Sequence, residues 1–268
     1  MNKPISILAL VAILITGCSS SSALDQAGTM IAETVAAAPP SATLQPPSTL
    51  PPESTSTPKP TATANIALTA TVEGIGVLSE LDVQVGSNSG IPYKDGYLAW
   101  KQSEPITINM QGPQKDSGIT KGIDESLTAA NFIFKSDVTW NASGILICGV
   151  TFRSEASLEK GKQYQFYFYR LSGLPAYLID AYEFGRHKYT ISNTKFSDTL
   201  NVENDETNQF VLVAQDKTFD VYINGKHQGQ FVDESQQRLS EGIFGFLGWQ
   251  ESGTGSCTFE NSWVWVMP

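Results

Sequence analysis

Apolar and polar positions alternate along most of the C-terminal part of this chain. Residues 131–140 read NFIFKSDVTW, with Phe132, Phe134, Ser136, Val138 and Trp140 on one parity and Ile133, Lys135, Asp137 and Thr139 on the other. A period of two predicts a β-strand with one face on a core. The same reading applies to 145–153 (ILICGVTFR), where Cys148, Val150 and Phe152 oppose Thr151 and Arg153, and to 163–171 (QYQFYFYRL), where Tyr164, Phe166 and Phe168 oppose Tyr167 and Tyr169. Strands are also predicted over 176–184, 188–191, 242–249 and 257–266. The sharpest signal lies at 210–233. Two alternating runs, 210–214 and 219–223, flank the polar turn 215–218, and Asn224-Gly225 then leads into a return strand over 226–231. Asn-Gly between β-prone runs favours a type I′ hairpin turn, which needs positive φ at both central residues. Before residue 131 the pattern is weaker. Strands are expected over 67–72, 81–85, 96–100 and 106–110, with a polar loop over 111–122. No long segment of period 3.6 stands out after residue 67. About a dozen short strands with turns every 8–12 residues predict an all-β fold, a sandwich or barrel.

The first 66 residues follow another pattern. A lysine at position 3 precedes an apolar run over 5–15, too short to cross a hydrocarbon core of roughly 30 Å as a helix. It ends in Ile15-Thr16-Gly17-Cys18, which resembles the bacterial lipobox, where a cysteine is lipidated and becomes the new N-terminus. The expected organisation is a lipoprotein signal peptide over 1–17, lipidation (palmitate among the acyl chains) at Cys18, a Ser/Thr/Pro-rich tether over 18–66 and a β-domain over 67–268. The tether is too poor in apolar residues to bury a core, and its prolines favour extended chain. The partner this implies is a membrane reached through the N-terminal lipid, on the extracytoplasmic side of the cell membrane or outer membrane.

Composition narrows the function. The 268-residue chain has a net charge of −10 and 41% hydrophobic residues. That balance lacks the basic footprint of nucleic-acid binding. No Gly-x-Ser-x-Gly or P-loop pattern occurs. The two histidines, His187 and His227, are isolated in sequence, which leaves no zinc pair. No catalytic residue and no metal ligand is assigned.

The ordered segments NFIFKSDVTW, CGVTFR, YQFYFYRL, FDVYINGKHQGQF, GIFGF and CTFENSWVWV resemble the concanavalin A-like lectin/glucanase superfamily, in particular its LamG-like and glycoside-hydrolase-16-like jelly-roll domains. The resemblance runs from about Asp82 to Val266. It implies a two-sheet antiparallel β-sandwich with a concave face that binds glycans in many relatives. With Cys18 used for lipid, Cys148 and Cys257 remain, in an oxidising compartment. The resemblance returns the last strand to the body of the domain, so a disulfide between them is expected. It would close about 110 residues and contribute about 4–5 kcal/mol in the chain-entropy model. Two buried thiols acting as small hydrophobes are the alternative.

Glycosidases of the resembled fold carry E-x-D-x-x-E or E-x-D-x-E on one strand, with nucleophile and acid/base carboxylates about 5 Å apart. Here Asp180 and Glu183 match the second and third acids, but the first position is Leu178, which cannot act as a nucleophile. The loop acids 203–206 and 233–234 are read as solvated, with Ca²⁺ as the minor alternative and no other cofactor. Parity places Tyr167 and Tyr169 on one face with Arg153, Asp137, Asp180 and Tyr182, and these six are the ligand-binding candidates. Trp100 and Trp249 are read as packing residues. The leading expectation is a non-catalytic carbohydrate-binding sandwich. The alternatives are a glycoside hydrolase pairing Asp137 with Asp180 or Glu183, and a structural or protein-interaction module.

Overall fold

A computed structural model describes residues 72–268 apart from 87–89, 115–117 and 172. The expected signal peptide, lipidation site Cys18 and tether lie outside the described residues. So does the strand expected over 67–72, save Val72, which opens a helix.

Two antiparallel sheets form a β-sandwich. In order of hydrogen-bonded neighbours, the first sheet runs β1 (Tyr97–Lys101), β13 (Thr254–Val266), β4 (Phe132–Ala142), β9 (Thr207–Gln215), β10 (Thr218–Ile223) and β11 (Lys226–Val232), and β2 (Ile106–Gln111) also pairs with β13. The second sheet runs β3 (Ile119–Gly122), β12 (Ile243–Gln250), β5 (Leu146–Ser154), β6 (Gln163–Leu171), β7 (Leu174–Glu183) and β8 (Arg186–Phe196). Asn224 and Gly225 have φ of 48° and 77°, the I′ geometry expected from their sequence. The loop expected over 111–122 instead ends in β3, whose four residues lack an alternating signal. Phe184, expected to close a strand, sits with Gly185 in the two-residue turn between β7 and β8, with φ of 53° and 70°.

The inner parities meet as predicted. Phe132, Phe134, Val138 and Trp140 of β4 pack with Phe152 of β5, Phe166 and Phe168 of β6, and Phe210 of β9 in one buried cluster. Phe132 meets Phe244 edge-on at 4.7 Å and 88°, and Phe134 stacks on Phe210 at 5.9 Å and 8°. Each fully buried Phe contributes about 1.5–3 kcal/mol of transfer free energy, and favourable ring pairs add about 0.5–1.5 kcal/mol. The Cys148–Cys257 disulfide crosses this core from β5 to β13, joining the sheets over a sequence separation of 109 with Cα atoms 5.8 Å apart.

Residues 81–85 are not a strand. They end a 13-residue helix, α1 (Val72–Gln84), that covers the outer face of the first sheet. Val77, Leu81 and Val85 recur every four residues and pack against Ile133, Val211, Val213, Tyr222, Trp263 and Trp265. The helix passed unnoticed because its apolar stripe is one residue wide and shared with Val72, Ile75, Leu78 and Val83 around the cylinder. The face it covers is apolar because β13 changes parity. Asn261 takes φ 51° at a bulge between Glu260 and Trp263, so Cys257 and Phe259 point inward while Trp263 and Trp265 point to the helix. Polar contacts set the docking. Trp263 Nε1 donates to Glu80 at 3.2 Å, and buried Lys135 lies 3.4 Å from Glu80 and 3.2 Å from Asp137.

Arg153, expected on the outer face of the second sheet, is turned away from it. Its φ is 47°, which breaks the parity of β5, and its side chain is 1% exposed. The guanidinium donates to Ala130 O at 2.9 and 2.6 Å, to Asp216 O at 2.6 Å and to Leu239 O at 3.2 Å. It also stands over the Phe219 ring at 5.5 Å. Burial pulls its pKa down, opposed by Tyr164, Asp216 and Asp233. The group ties three loops at one end of the sandwich.

Two outcomes follow from these contacts. Leu81→Ala should remove about 2–5 kcal/mol from the docking of α1. Hydrogen exchange would then quicken in 72–84 while β4 and β9 stay protected; uniform loss of protection would show that the helix is no separate unit. Arg153→Met removes four part-buried hydrogen bonds from a charged donor to the carbonyls of Ala130, Asp216 and Leu239 and should cost about 2–4 kcal/mol in urea unfolding, at roughly 1.5–3 kcal/mol per charged hydrogen bond, partly offset by water reaching those carbonyls. Arg153→Lys should recover little of it, because one ammonium cannot span the same fork; full recovery would contradict this role.

Candidate functional site

The outer face of the second sheet carries no helix among the described residues. Strand register arranges its side chains in rows. Trp249, Ile147 and Tyr169 stand opposite one another. The next row holds Leu247, Gly149, Tyr167 and Leu178, followed by Gly245, Thr151, Gln165, Asp180 and Thr190. Gln163, Tyr182 and His187 complete it beside the β7–β8 turn. Tyr167 leans across the Gly149 position, where any Cβ would meet Tyr167 Cβ at 2.7 Å and Phe166 O at 2.1 Å. A side chain at 149 would therefore push the tyrosine out of its seat.

These rows enclose a cavity of about 460 Å³, lined by Ile147, Gln165, Tyr167, Tyr182, Arg186, His187, Leu247 and Trp249. That size lies within the usual range for small-molecule sites, roughly 300–1,000 Å³. Its walls are aromatic and aliphatic. Of its polar lining groups, Gln165 is buried and Arg186 and His187 are exposed. Tyr167 donates its hydroxyl to Asp180 Oδ2 at 2.6 Å. Burial first, then neighbouring Tyr182 and Asp180, push the Tyr167 pKa far upward, so the hydroxyl stays a donor. Asp180 is 4% exposed, and its other oxygen, Oδ1, has no hydrogen-bond partner. His187 Nε2 lies 3.5 Å from that oxygen and 3.0 Å from Thr190 Oγ1.

Asp180 Oδ1 is one of several such atoms. Among the described residues, six buried side-chain polar atoms lack a partner, and four of them, on Thr151, Gln163, Gln165 and Asp180, belong to this one face. A buried polar group without a partner costs about 1–3 kcal/mol, so such groups are few in a folded protein and each calls for an explanation. Of the four, Gln165 lines the cavity itself, and Thr151 and Asp180 flank it in the same row.

The structure brings Tyr167, Tyr169, Asp180 and Tyr182 to this face. Tyr169 borders the cavity and points its hydroxyl to Thr194 at 3.3 Å. Asp137 is elsewhere. Its parity was right, but β4 belongs to the other sheet, so its carboxylate lies on the opposite outer face of the sandwich, bonded to Gln209 at 3.2 Å and Asn261 at 2.9 Å. The catalytic pairings of Asp137 with Asp180 or Glu183 are thereby removed. Arg153 is the buried tie described above. Glu183 is bound by Lys188 at 2.7 Å and Lys162 at 3.7 Å; the Lys188 hydrogen bond leads in holding its pKa below the usual carboxylate range. Leu178 packs with Tyr167 and Leu247. Of the loop acids, Asp233 accepts from the Tyr189 hydroxyl at 3.0 Å and from Ser235 N at 2.8 Å, and also from the Tyr164 hydroxyl.

Ile147, Gln165, Arg186, His187, Leu247 and Trp249 were missed by sequence reasoning. Gln165 shares the parity of Tyr167 and was within reach. His187 needed the β7–β8 register, which places it opposite Tyr182. Trp249, read as a packing residue, is half-buried at the cavity wall.

No protein-family model matches the chain, and no curated protein matches it. Solved structures similar to it include the carbohydrate-binding module CBM66 from Bacillus subtilis, at 17% identity and a TM-score of 0.42, covering 57% of this chain and 94% of that one. A Caenorhabditis elegans galectin is similar at 10% identity and a TM-score of 0.35, again over 57% of this chain and 94% of that one. A Bacillus subtilis protein of unknown function with a galectin-like fold is similar at 10% identity and a TM-score of 0.41, over 62% and 91%.

Proposed function

We propose that this chain is a lipid-anchored, extracytoplasmic protein whose concanavalin A-like sandwich binds carbohydrate without catalysis, on the outer face of β12–β5–β6–β7–β8. One observation carries the binding reading: the cavity walled by Trp249, Leu247, Ile147 and Tyr182 is also lined by buried Gln165, whose Nε2 has no partner among the described residues and which stands opposite Asp180 in register. Sugars present the matching chemistry. Their C–H faces suit aromatic rings, and their hydroxyls both donate and accept. An acceptor at Asp180 Oδ1 and a donor at Gln165 Nε2 would each be satisfied by such a ring.

Binding rather than hydrolysis is favoured by the surroundings of Asp180. Glycoside hydrolysis needs two carboxylates flanking the bond. Here the neighbouring acid, Glu183, is engaged by two lysines, and the position of the first acid is the apolar Leu178. The anchoring part rests on the apolar run over 5–15 and the small residues before Cys18. A lipid there and a proline-rich tether would present the sandwich away from the membrane.

The test is a glycan array probed with the purified chain beside Asp180→Asn and Trp249→Ala. Wild-type binding to at least one glycan is expected. Asp180→Asn should weaken it about tenfold or more, since hydrogen bonds to a charged group contribute roughly 1.5–3 kcal/mol. Trp249→Ala should weaken it without lowering Tm appreciably. Retained binding in both variants would move the site off this face, and silence across the array would end the carbohydrate reading. Separately, Cys18→Ser should shift the protein from the membrane fraction to the soluble one; continued membrane association would refute the lipid anchor.

A further inference from the structure

We infer that the glycan taken by this cavity carries an anionic substituent, a carboxylate or a sulfate ester, held by Arg186. The inference rests on the carbohydrate-binding reading and names the class of sugar.

Arg186 lines the cavity at its β7–β8 end, and its side chain is exposed. Among the described residues it forms no ion pair. The acid opposite it in register is Glu183, but that carboxylate is taken by Lys188 and Lys162. The guanidinium is therefore an uncommitted charge at the mouth of a cavity. His187, also exposed, stands beside it and gains a positive charge on protonation. Lys162 and Lys188 are both committed to Glu183, so among the described residues Arg186 is the permanent cation that lines the cavity without an acidic partner. The whole chain carries −10, so a cationic lip is not the background of this surface. Repulsion from distant acids is screened beyond about 8 Å at physiological salt, which leaves the lip to set the local field.

The geometry also orients the ligand. Asp180 Oδ1 is buried and negative, so an anion cannot sit against it. That end of the floor suits hydroxyls, donated to Asp180 and accepted from Gln165. The anion must lie outward, where Arg186 presents a planar fork of N–H donors that matches the oxygens of a carboxylate or sulfate in pairs. Trp249 and Leu247, in the two rows farthest from the β7–β8 turn, take the uncharged part of the sugar. One ring system with hydroxyls inward and its acidic group toward the β7–β8 turn would engage both Gln165 and Arg186.

Calorimetry on the full chain tests this with matched probes: polygalacturonate oligosaccharides, the same oligosaccharides with their carboxylates methyl-esterified, dextran sulfate and dextran. At least one anionic probe should bind about tenfold tighter than its neutral counterpart, with the gap narrowing as ionic strength rises. Preference for the free acid identifies a uronate ligand, and preference for dextran sulfate identifies a sulfated one. Arg186→Gln should abolish the preference, bringing acid and neutral probes to equal affinity. Equal affinities in the wild type would overturn the inference while leaving carbohydrate binding in place. A preference that survives Arg186→Gln would overturn the role of Arg186. If no probe binds here and the glycan array is silent as well, the carbohydrate reading itself fails; if the array shows only neutral glycans bound, the anionic inference alone fails.

Discussion

The packing of phenylalanines between the two sheets constrains everything else in this molecule. Phe132, Phe134 and Phe210 from one sheet interlock with Phe152, Phe166, Phe168, Phe244 and Phe246 from the other. Because strand side chains alternate, each inward ring fixes its neighbours outward. Seating Phe166 and Phe168 inside places Gln165, Tyr167 and Tyr169 outside, and seating Ile179 and Ala181 inside places Leu178, Asp180 and Tyr182 outside. A slip of one residue would turn the site into core and the core into surface. The disulfide holds the same register from within, since Cys148 and Cys257 lie in the inner cluster of opposite sheets.

A sandwich closed in this way has two outer faces, and the chain treats them differently. On the first sheet the bulge at Asn261 brings Trp263 and Trp265 outward, and α1 covers them. The charges there are mutually satisfied, with Lys135 between Glu80 and Asp137. On the second sheet no bulge interrupts β6, so a continuous outward row survives from Gln163 to Tyr169. Among the described residues nothing covers the cavity there, and four buried side-chain polar atoms on that face, on Thr151, Gln163, Gln165 and Asp180, have no hydrogen-bond partner. The unpartnered buried atoms are thus unevenly shared, with one, Gln84 Oε1, on the helix of the first face and four on the second.

How far this was legible follows from the same rule. Alternation alone sorts β4, β5, β6 and β7 into inner and outer residues, and it brings Tyr167, Tyr169, Asp180 and Tyr182 together correctly. It cannot say which strands share a sheet. Asp137 has the outward parity of Tyr167 yet lies on the far side of the molecule, because β4 pairs with β9 and β13 while β5, its neighbour in sequence, crosses to the other sheet. Nor can it foresee a local reversal. Arg153 follows Phe152 in strict alternation, but a φ of 47° turns it into the end of the core. The helix α1 escaped for a third reason: its stability comes from docking on two tryptophans far along the chain, and a short helix with one apolar stripe carries little signal of its own. Arg186 and His187 entered the site through cross-strand register, which a hairpin turn at Phe184-Gly185 sets and composition does not display.

Arg153 and Arg186 show how environment assigns roles to one side-chain type. Arg153 is buried, and carbonyls of three separate loops take up its donors. A buried charge is tolerated only when it is paired or hydrogen-bonded; four of the five N–H donors of Arg153 go to these carbonyls, and the side chain is buried away from the outer face. Arg186 is solvated, stands on the last strand of the second sheet and has no acidic partner among the described residues. Solvation makes its charge inexpensive to maintain while the cavity is empty, and an anion arriving beside the apolar wall would displace that water at a point where the surrounding dielectric is lower than bulk. The attraction would then be felt most by a ligand that also fills the cavity. An anion alone would gain little at so exposed a group, and a neutral sugar would leave the guanidinium unused; only a molecule combining both features engages the whole site.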